Sequence, residues 1–496
     1  MRGRGLAFPL LSILLASCAV GPDYTRPAVS TPQTFRMAEA EAERELKSIA
    51  DLPWWELLQD EEVQGLVRIA LTENKDLAQA LARVEEFQAR LSAARTDFLP
   101  QVSAEANAPA FGRLSSDDLP PGLPTSSSYF VQGSLSWELD LWGRVRRANE
   151  AARADLLAQE ENRRAVVLAL VASVAQAYFD LRQLDLQLEI TRRTFESWEQ
   201  SVGIAQARLR QGLISKLDAD QFEAERANAA ARAAELERQV VQKENELSVL
   251  LGRNPGQIPR GRSLIEQAMP LEVPAGLPSS LLQRRPDILQ SERVLAAASA
   301  RIGVAKAERF PRITITGLLG AASPELSSLG PGKFGSAGLA LAGPLLNAQT
   351  LGFQQKAAEA QARQALAQYE KTVLVAFREV EDALVAVRKV RVQSEAQGAQ
   401  VNALRSALNL AELRYRRGLA GYLDVLTAKR SLFDAELTLT ATRRLQLVSV
   451  VQLYKALGGG WPTEGPAGGL PAGPEALAHP SGAGFDGKGE AVRVRR

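Results

Sequence analysis

The sequence predicts a mainly α-helical protein with a membrane β-barrel, built from one unit that occurs twice in the chain. Long stretches without proline carry apolar residues in a seven-residue repeat, which is typical of coiled coils. Four short stretches alternate apolar and polar residues, as strands with one apolar face do. A glycine turn followed by Leu-Asp occurs at Gly212 and again at Gly418, and 418 minus 212 is 206. Asp218 and Asp424 are also 206 residues apart, which indicates a duplication.

Composition and charge exclude several classes of function. The 496 residues are 46% hydrophobic but only 6% aromatic, which favours long helices over compact α/β units. The 59 basic and 57 acidic residues are interleaved and leave a net charge of +2, so no nucleic-acid-binding face is predicted. One cysteine and one histidine cannot supply Cys/His metal sites or Ser-His and Cys-His catalytic pairs. We therefore predict no enzyme activity, no catalytic residue, no metal and no cofactor.

The N-terminus predicts a lipoprotein. Residues 1–17 combine two arginines with a short apolar run, which is typical of a secretory signal peptide and too short to span a membrane. The run ends in Leu-Ala-Ser-Cys, and this ending at Cys18 resembles the bacterial lipobox, in which the cysteine is acylated. More than one acyl chain would give stable attachment to the membrane. The alternative is a free Cys18 in an ordinary signal peptide. Residues 18–59 are predicted to form a lipidated tether and the start of the equatorial region, the belt around the helical body.

The first repeat is predicted at residues 60–255. Its helices show recurring apolar faces, and its two alternating strands flank a loop rich in proline, glycine and serine. Its long helix would extend for roughly 100 Å at 1.5 Å per residue. The predicted parts are a helix at 60–97, a β-hairpin at 99–139 with strands at 101–108 and 129–139, and a helical hairpin at 144–251 with helices at 144–211 and 217–251.

The second repeat is predicted at residues 279–461, after a connector at 256–278 that contains proline and glycine. The tail at 462–496 is rich in glycine, proline and alanine, so we predict that it is disordered. The sole histidine, His479, lies in this tail. The predicted parts of the repeat are a helix at 279–309, a β-hairpin at 311–343 and a helical hairpin at 349–457.

Two hairpins supply four strands per chain, and four strands cannot close a barrel. A sheet that spans a bilayer must leave no open edge, and single-chain barrels start at eight strands. The sequence therefore predicts an oligomer with a central channel, in which the long helices continue the wall of the barrel. The alternative is a soluble β-hairpin on a coiled-coil scaffold.

Four stretches carry a family resemblance: residues 18–27, 137–144, 276–288 and 415–432. The Arg-Arg-Pro-Asp-Ile sequence within the third stretch is the most specific. Together they resemble the TolC-like outer-membrane efflux proteins in their lipoprotein branch, the OprM/NodT-like proteins. The resemblance implies a homotrimer that forms a twelve-strand barrel in outer-membrane lipid and a long periplasmic tunnel of helices.

The same resemblance implies a function. The protein would be the outer-membrane channel of a tripartite efflux pump, a passive exit duct for drugs or other small molecules. Its partners would be a periplasmic adaptor protein and an inner-membrane RND-type pump that supplies the energy. Two alternatives remain open: the exit duct of a type I protein secretion system, and a structural coiled-coil lipoprotein without channel activity.

The resemblance also implies a periplasmic gate at the tip of the second helical hairpin. In the family, two aspartates spaced three residues apart and nearby basic residues hold the tunnel shut. Asp424 matches the first aspartate, whereas Thr427 stands at the position of the second. Tyr415, Leu423 and Arg430 match other positions of the constriction.

The tip turns allow a second interpretation of the aspartates. Gly418 forms the predicted turn of the second repeat, and Gly212 with Asp218 forms the equivalent tip of the first repeat. Asp424 follows the turn and could be a helix N-cap, which is a common role for aspartate. As part of a ring, Asp424 would instead bring like charges together around the axis, and Arg430 is expected to offset them.

Overall fold

The computed structural model describes residues 19–32, 34–35, 48–108, 129–267, 278–323, 326–344 and 347–459. The predicted signal peptide, Cys18 and the predicted disordered tail with His479 lie outside the described residues. Short 3₁₀ helices occur at Ile49–Asp51, Pro278–Ser280 and Leu326–Ser328. The α-helices are α1 Trp54–Leu57, α2 Glu61–Glu73, α3 Lys75–Thr96, α4 Arg144–Arg210, α5 Lys216–Leu250, α6 Leu281–Arg284, α7 Pro286–Ala307, α8 Ala348–Arg416 and α9 Tyr422–Ala456. The strands are β1 Gln101–Asn107, β2 Tyr129–Leu139, β3 Arg312–Ser323 and β4 Lys333–Ala342.

The long helices α4 and α8 are continuous over 67 and 69 residues, as the missing prolines and the seven-residue repeat predict. Val174, Leu181, Leu188 and Val202 of one predicted heptad series are all buried. A large apolar core forms where α4, α5, α8 and α9 meet α2. Within the described residues, α4 is the helix whose length and composition would allow a membrane crossing, and 61% of its apolar window is buried by its neighbours.

The two shorter helices predicted at 60–97 and 279–309 are each broken, and this corrects the sequence analysis. The first is interrupted at Asn74, which caps α3, and the second begins later and is interrupted at Arg285, which precedes α7. The breaks are equivalent: the Asn74 Nδ2 atom donates to the Leu250 carbonyl at 2.9 Å, and the Arg285 Nη1 atom donates to the Ala456 carbonyl at 2.8 Å. These carbonyls lie at the C-terminal ends of α5 and α9, where the last carbonyls of a helix have no N–H donor within the helix.

A glycine follows each of α5 and α9, the helices that return from the tips, at the point where they meet these breaks. Gly252 and Gly458 both adopt the left-handed conformation, with φ of 73° and 72°. A Cβ atom on Gly252 would lie 2.2 Å from the Glu73 carbonyl oxygen, and one on Gly458 would lie 3.2 Å from the backbone of Arg284. Each return helix therefore ends directly against the broken helix of its own repeat, and only glycine allows this close approach.

The four strands form one antiparallel sheet in the order β1, β2, β3, β4. The predicted strand at 129–139 is confirmed, and the one predicted at 101–108 ends at Asn107. Strand β2 of the first repeat pairs with β3 of the second, with Trp137 opposite Ile315, and Ile315 is opposite Leu339 of β4. Because cross-strand partners lie on one face, the predicted alternation places the large apolar residues together on one side of the sheet.

The chain after the predicted lipid site is extended and packed against the helices. The Val20 N–H donates to the Trp142 carbonyl at 3.0 Å, where β2 leads into α4. The carboxylate of Asp23 pairs at 2.6 Å with Arg147, whose side chain is buried. Further along, Arg26 pairs at 2.9 Å with Glu292 of α7. The tether is therefore held in place from its first described residues.

Candidate functional site

Each long helical hairpin ends in the same five-residue turn. Gly212 and Gly418 have φ of 69° and 71°, and no atom lies within 4 Å of a Cβ built on either glycine. In the first turn the Gly212 N–H donates to the Leu209 carbonyl and the Leu213 N–H donates to the Arg208 carbonyl, both at 2.9 Å. The second turn has the two equivalent hydrogen bonds. This arrangement is a Schellman motif, which satisfies the last carbonyls of a helix and requires a left-handed residue. The predicted turn glycines are thus needed for their backbone conformation.

The two tips differ in how the next helix begins. In the first tip, Ser215 and Asp218 form a capping box: the Asp218 N–H donates to the Ser215 Oγ atom at 3.1 Å, and the Ser215 N–H donates to the Asp218 carboxylate at 3.1 Å. In the second tip, Gly421 occupies the N-cap position and offers no side-chain bond. Asp424 is the third residue of α9 and is exposed. The interpretation of Asp424 as an N-cap is therefore wrong.

The other predicted gate residues lie close to Asp424 along α9. Leu423, Thr427 and Arg430 are exposed, and Tyr415 at the end of α8 is partly buried. The Arg430 Nε atom lies 3.4 Å from the Glu225 carboxylate of α5, so within the chain Arg430 pairs with the first repeat. The expectation that Arg430 offsets Asp424 is not met within one chain, because the neighbouring helix supplies a different carboxylate.

An aromatic cluster joins the two tips, and sequence reasoning missed its central contact. The rings of Phe222 in α5 and Tyr422 in α9 stack with centroids 3.6 Å apart. Trp198 of α4 meets Phe222 edge-on at 6.4 Å, and Tyr415 meets Tyr422 at 5.8 Å. Burial raises the pKa of the Tyr422 hydroxyl. The cluster draws on α4, α5, α8 and α9, so it binds the tip of one repeat to the tip of the other.

Arg208 extends the cluster from the first repeat. Its Nη1 atom donates to the Tyr415 hydroxyl at 2.5 Å, and its guanidinium carbon lies 4.8 Å from the centre of the Tyr415 ring. Tyr415, which the sequence placed in the constriction, thus contacts the last turn of α4. Basic residues are favourable in that turn because the C-terminal end of a helix carries partial negative charge.

The model of the outer membrane efflux protein family matches residues 66–253 and 277–459, which correspond to the two repeats. The chain belongs to the outer membrane efflux protein family. The helical hairpins and the four-stranded sheet that the two repeats build together are therefore parts of an efflux channel subunit.

Relatives and solved structures of similar proteins cover nearly the whole chain. The solvent efflux pump outer membrane protein SrpC of Pseudomonas putida is 36% identical over 463 residues, covering 92% of this chain and 98% of SrpC. The probable outer membrane lipoprotein SilC of Salmonella typhimurium is 33% identical over 460 residues, covering 91% of this chain and 98% of SilC. A crystal structure of CusC is similar with a TM-score of 0.79 and 32% identity, covering 89% of this chain and 100% of that chain.

These findings confirm the predicted fold class, location and general function. This efflux protein is an outer-membrane channel component of an efflux system, and members of the family are conduits rather than enzymes. Among the described residues, no three His, Cys, Asp or Glu side chains are grouped so that they could hold a metal ion.

Sequence reasoning also missed Lys429, whose position in the helical pattern carried a signal. Tyr422, Val425 and Leu426 form a buried stripe on α9, and Lys429 follows at the next helical spacing. Its side chain is only 13% exposed, and burial lowers the pKa of its ammonium group. A lysine on an apolar face is expected to have polar partners, because an unpaired buried charge is costly.

Proposed function

We propose that three copies of this efflux protein assemble into one conduit with a twelve-strand barrel. The observation that carries the proposal is the open sheet: β1 and β4 have partners on one side only, and their residues are exposed. Unpaired strand edges cannot be left in a bilayer, so β4 of one protomer is expected to pair with β1 of the next. Exposed Val102, Leu319 and Leu339 on the apolar face would contact lipid.

We infer that Cys18 carries the lipid anchor. The adjacent Ala19 lies against Gly143, where β2 leads into α4, because a Cβ on that glycine would lie 2.8 Å from Ala19. Acyl chains on Cys18 would therefore enter the membrane at the base of the sheet. The name of the relative SilC supports a lipoprotein. Mass spectrometry of the mature N-terminus tests this, since Cys18→Ser should remove both the acyl chains and lipoprotein processing.

We further propose that the conduit works as the exit duct of a tripartite pump for small molecules. A periplasmic adaptor and an inner-membrane RND-type pump would engage the helical tips, as the family resemblance implies. The tips carry a matching apolar feature: Leu213 in the first repeat and Leu419 at the equivalent position of the second are both exposed. In a trimer this leucine would occur six times. Exposed apolar patches of this kind favour a protein partner.

The names of the relatives support small-molecule export over protein secretion, because SrpC is a solvent efflux protein and CusC a cation efflux protein. Cross-linking in cells followed by co-purification tests the proposed partners. An adaptor and an RND-type pump should be recovered with the efflux protein, and the recovery should fall when Leu213 and Leu419 are changed together to Asp. Recovery of a protein secretion apparatus instead would contradict the assignment.

We propose that the second-repeat tips close the tunnel. Three exposed Asp424 side chains around an axis would form a ring of like charge that lacks the capping partner its counterpart Asp218 has. Leu423, Thr427 and Arg430 lie on the same exposed part of α9 and would line the constriction with it. Native mass spectrometry of detergent-extracted protein should give three chains, and planar bilayers should show small, infrequent openings. A stable monomer that conducts ions would contradict both the trimer and its closure.

A further inference from the structure

We propose that Lys429 is an inter-repeat latch: it holds the second-repeat tip against α4 of the first repeat and so sets how easily the tunnel opens. The inference rests on the proposed closure at the tips and names a positioning residue outside the predicted gate. Lys429 lies in α9, a little more than one turn beyond Asp424, on a different side of the helix. It does not face the proposed constriction, because its ammonium group lies between helices.

The ammonium group has a complete set of partners. Its Nζ atom lies 3.0 Å from the Ser197 Oγ atom, 3.1 Å from the Ser201 Oγ atom and 3.6 Å from the Glu412 carboxylate. A lysine has three N–H donors; two of them reach the serine hydroxyls, and Glu412 lies at ion-pair distance and balances the charge. The same nitrogen lies 5.1 Å from the centre of the Trp198 ring, within the range of a cation–π interaction. The buried charge is therefore stabilised by contacts with α4 on one side and with α8 on the other.

The partners are divided between the two repeats, and this division makes the contact a latch. Ser197, Trp198 and Ser201 follow one another along one face of α4 in the first repeat, whereas Glu412 belongs to α8, the other arm of the hairpin of Lys429. If the second-repeat tip moves away from α4, the ammonium group loses both hydroxyls and the ring and keeps Glu412 alone. Closed and open arrangements thus differ by two charge-assisted hydrogen bonds and one cation–π contact.

The first repeat has no counterpart to this contact. Position 429 minus 206 is 223, and Glu223 pairs at 2.6 Å with Arg226 of its own helix. Other polar contacts also join the repeats near the tip: Arg208 of α4 donates to the Tyr415 hydroxyl, and Arg430 of α9 pairs with Glu225 of α5 but is 60% exposed. Ion pairs at such exposed positions contribute little because water competes for them. Within α9, the buried Lys429 contact is therefore expected to contribute more than the Arg430 pair to holding the tip against the first repeat.

Single-channel recording of the trimer in planar bilayers tests the latch. Lys429→Met keeps the length of the side chain and removes its charge and its donors. We expect the ratio of open to closed time to rise at least roughly tenfold, because two hydrogen bonds to a charged group are lost and the loss of one alone corresponds to about that factor. Lys429→Arg keeps the charge and should restore most of the closure. Lys216→Met is the matched control, because Lys216 is 79% exposed and pairs along its own helix with Asp220. In this variant the ratio of open to closed time should be unchanged.

The outcomes separate the latch from the proposed gate. If Asp424→Ala raises the conductance and Lys429→Met leaves the ratio of open to closed time unchanged, the latch is wrong and the gate stands. If neither variant changes the conductance or this ratio, closure at the tips fails as well. If Lys429→Met raises the ratio and Lys429→Arg raises it equally, the effect comes from altered packing and the latch is wrong.

A second variant covers the case in which Lys429→Met does not assemble. In Ser197→Cys with Lys429→Cys, a short reversible thiol cross-linker replaces the latch by a covalent link. The remaining cysteine of the chain is Cys18, which is the proposed acylation site. The cross-linked trimer should stay closed and should open when the link is reduced. Openings that continue in the linked state would contradict the latch.

Discussion

The two helical tips come from the same duplicated unit and share their turn, yet only the first is capped by side chains of its own turn. Ser215 and Asp218 satisfy each other's backbone N–H groups, whereas Gly421 leaves Asp424 without that partner. A serine cap contributes about 0.5–2 kcal/mol relative to alanine. The first tip therefore has a stable local structure of its own. The second tip relies on contacts with its neighbours, through the aromatic cluster and Lys429.

The two copies of the unit keep the same turn but differ in the side chains around it. The backbone turns at Gly212 and Gly418 are the same, because both need a left-handed residue to end a long helix. The side chains around them differ: the first tip has a capping box, whereas Gly421 gives the second tip no side-chain cap. We expect the first repeat to be the scaffold and the second to be the part that moves.

The largest expected effect comes from breaking the contact that holds the tips together. Phe222→Ala removes a buried ring stacked on Tyr422, and such truncations cost about 3–5 kcal/mol. Thermal unfolding of the extracted trimer should show a lower midpoint and earlier loss of the tips to limited proteolysis. Leu419→Ala serves as the control, because this leucine is exposed and its loss should change the stability by less than about 0.5 kcal/mol. Equal effects of the two variants would show that the aromatic cluster does not couple the tips.

A medium effect is expected from replacing the two aspartates: one replacement should lower the stability, and the other should raise the conductance. Asp218→Ala breaks the capping box and should cost about 1 kcal/mol of stability without changing the conductance. Asp424→Ala has no cap to lose, so stability should stay the same while the conductance and the entry of large antibiotics increase. Bilayer recording and unfolding of the same preparations check both readouts. If Asp218→Ala opens the channel and Asp424→Ala does not, the gate lies in the first repeat.

The smallest expected effect comes from making the second tip like the first. Gly421 has φ of −71° and ψ of 159°, close to the −77° and 159° of Ser215, and no atom lies within 4 Å of a Cβ built on it. Gly421→Ser should therefore form a capping box with Asp424 and stabilise the start of α9 by a few tenths of a kcal/mol. We expect fewer openings, since Asp424 is then held by the backbone. Ser215→Gly is the mirror-image control and should leave the opening frequency unchanged; a change there would contradict the division of roles.

Much of the fold follows from the sequence because its signals are local. The limits of α4 and α8 depend on the absence of proline and on a heptad pattern, and the strands depend on alternation, so each can be recognised within one segment. The broken helices could not be recognised in this way. Asn74 and Arg285 lie inside otherwise regular helical patterns, and the acceptors that hold their side chains, at Leu250 and Ala456, are more than 170 residues away.

The residues of the candidate site also divide into those marked by the sequence and those that depend on contacts with distant segments. The duplication, the tip glycines and the paired aspartates follow from a repeated spacing that is visible without any contact, and the family resemblance pointed to Thr427 and Tyr415. The pairing of Arg430 with Glu225 and the burial of Lys429 against Ser197 required the packed structure. The partner of a charged side chain depends on which helices lie side by side and at what rotation. That arrangement is fixed by packing between segments about 200 residues apart, which a pattern within one helix does not record.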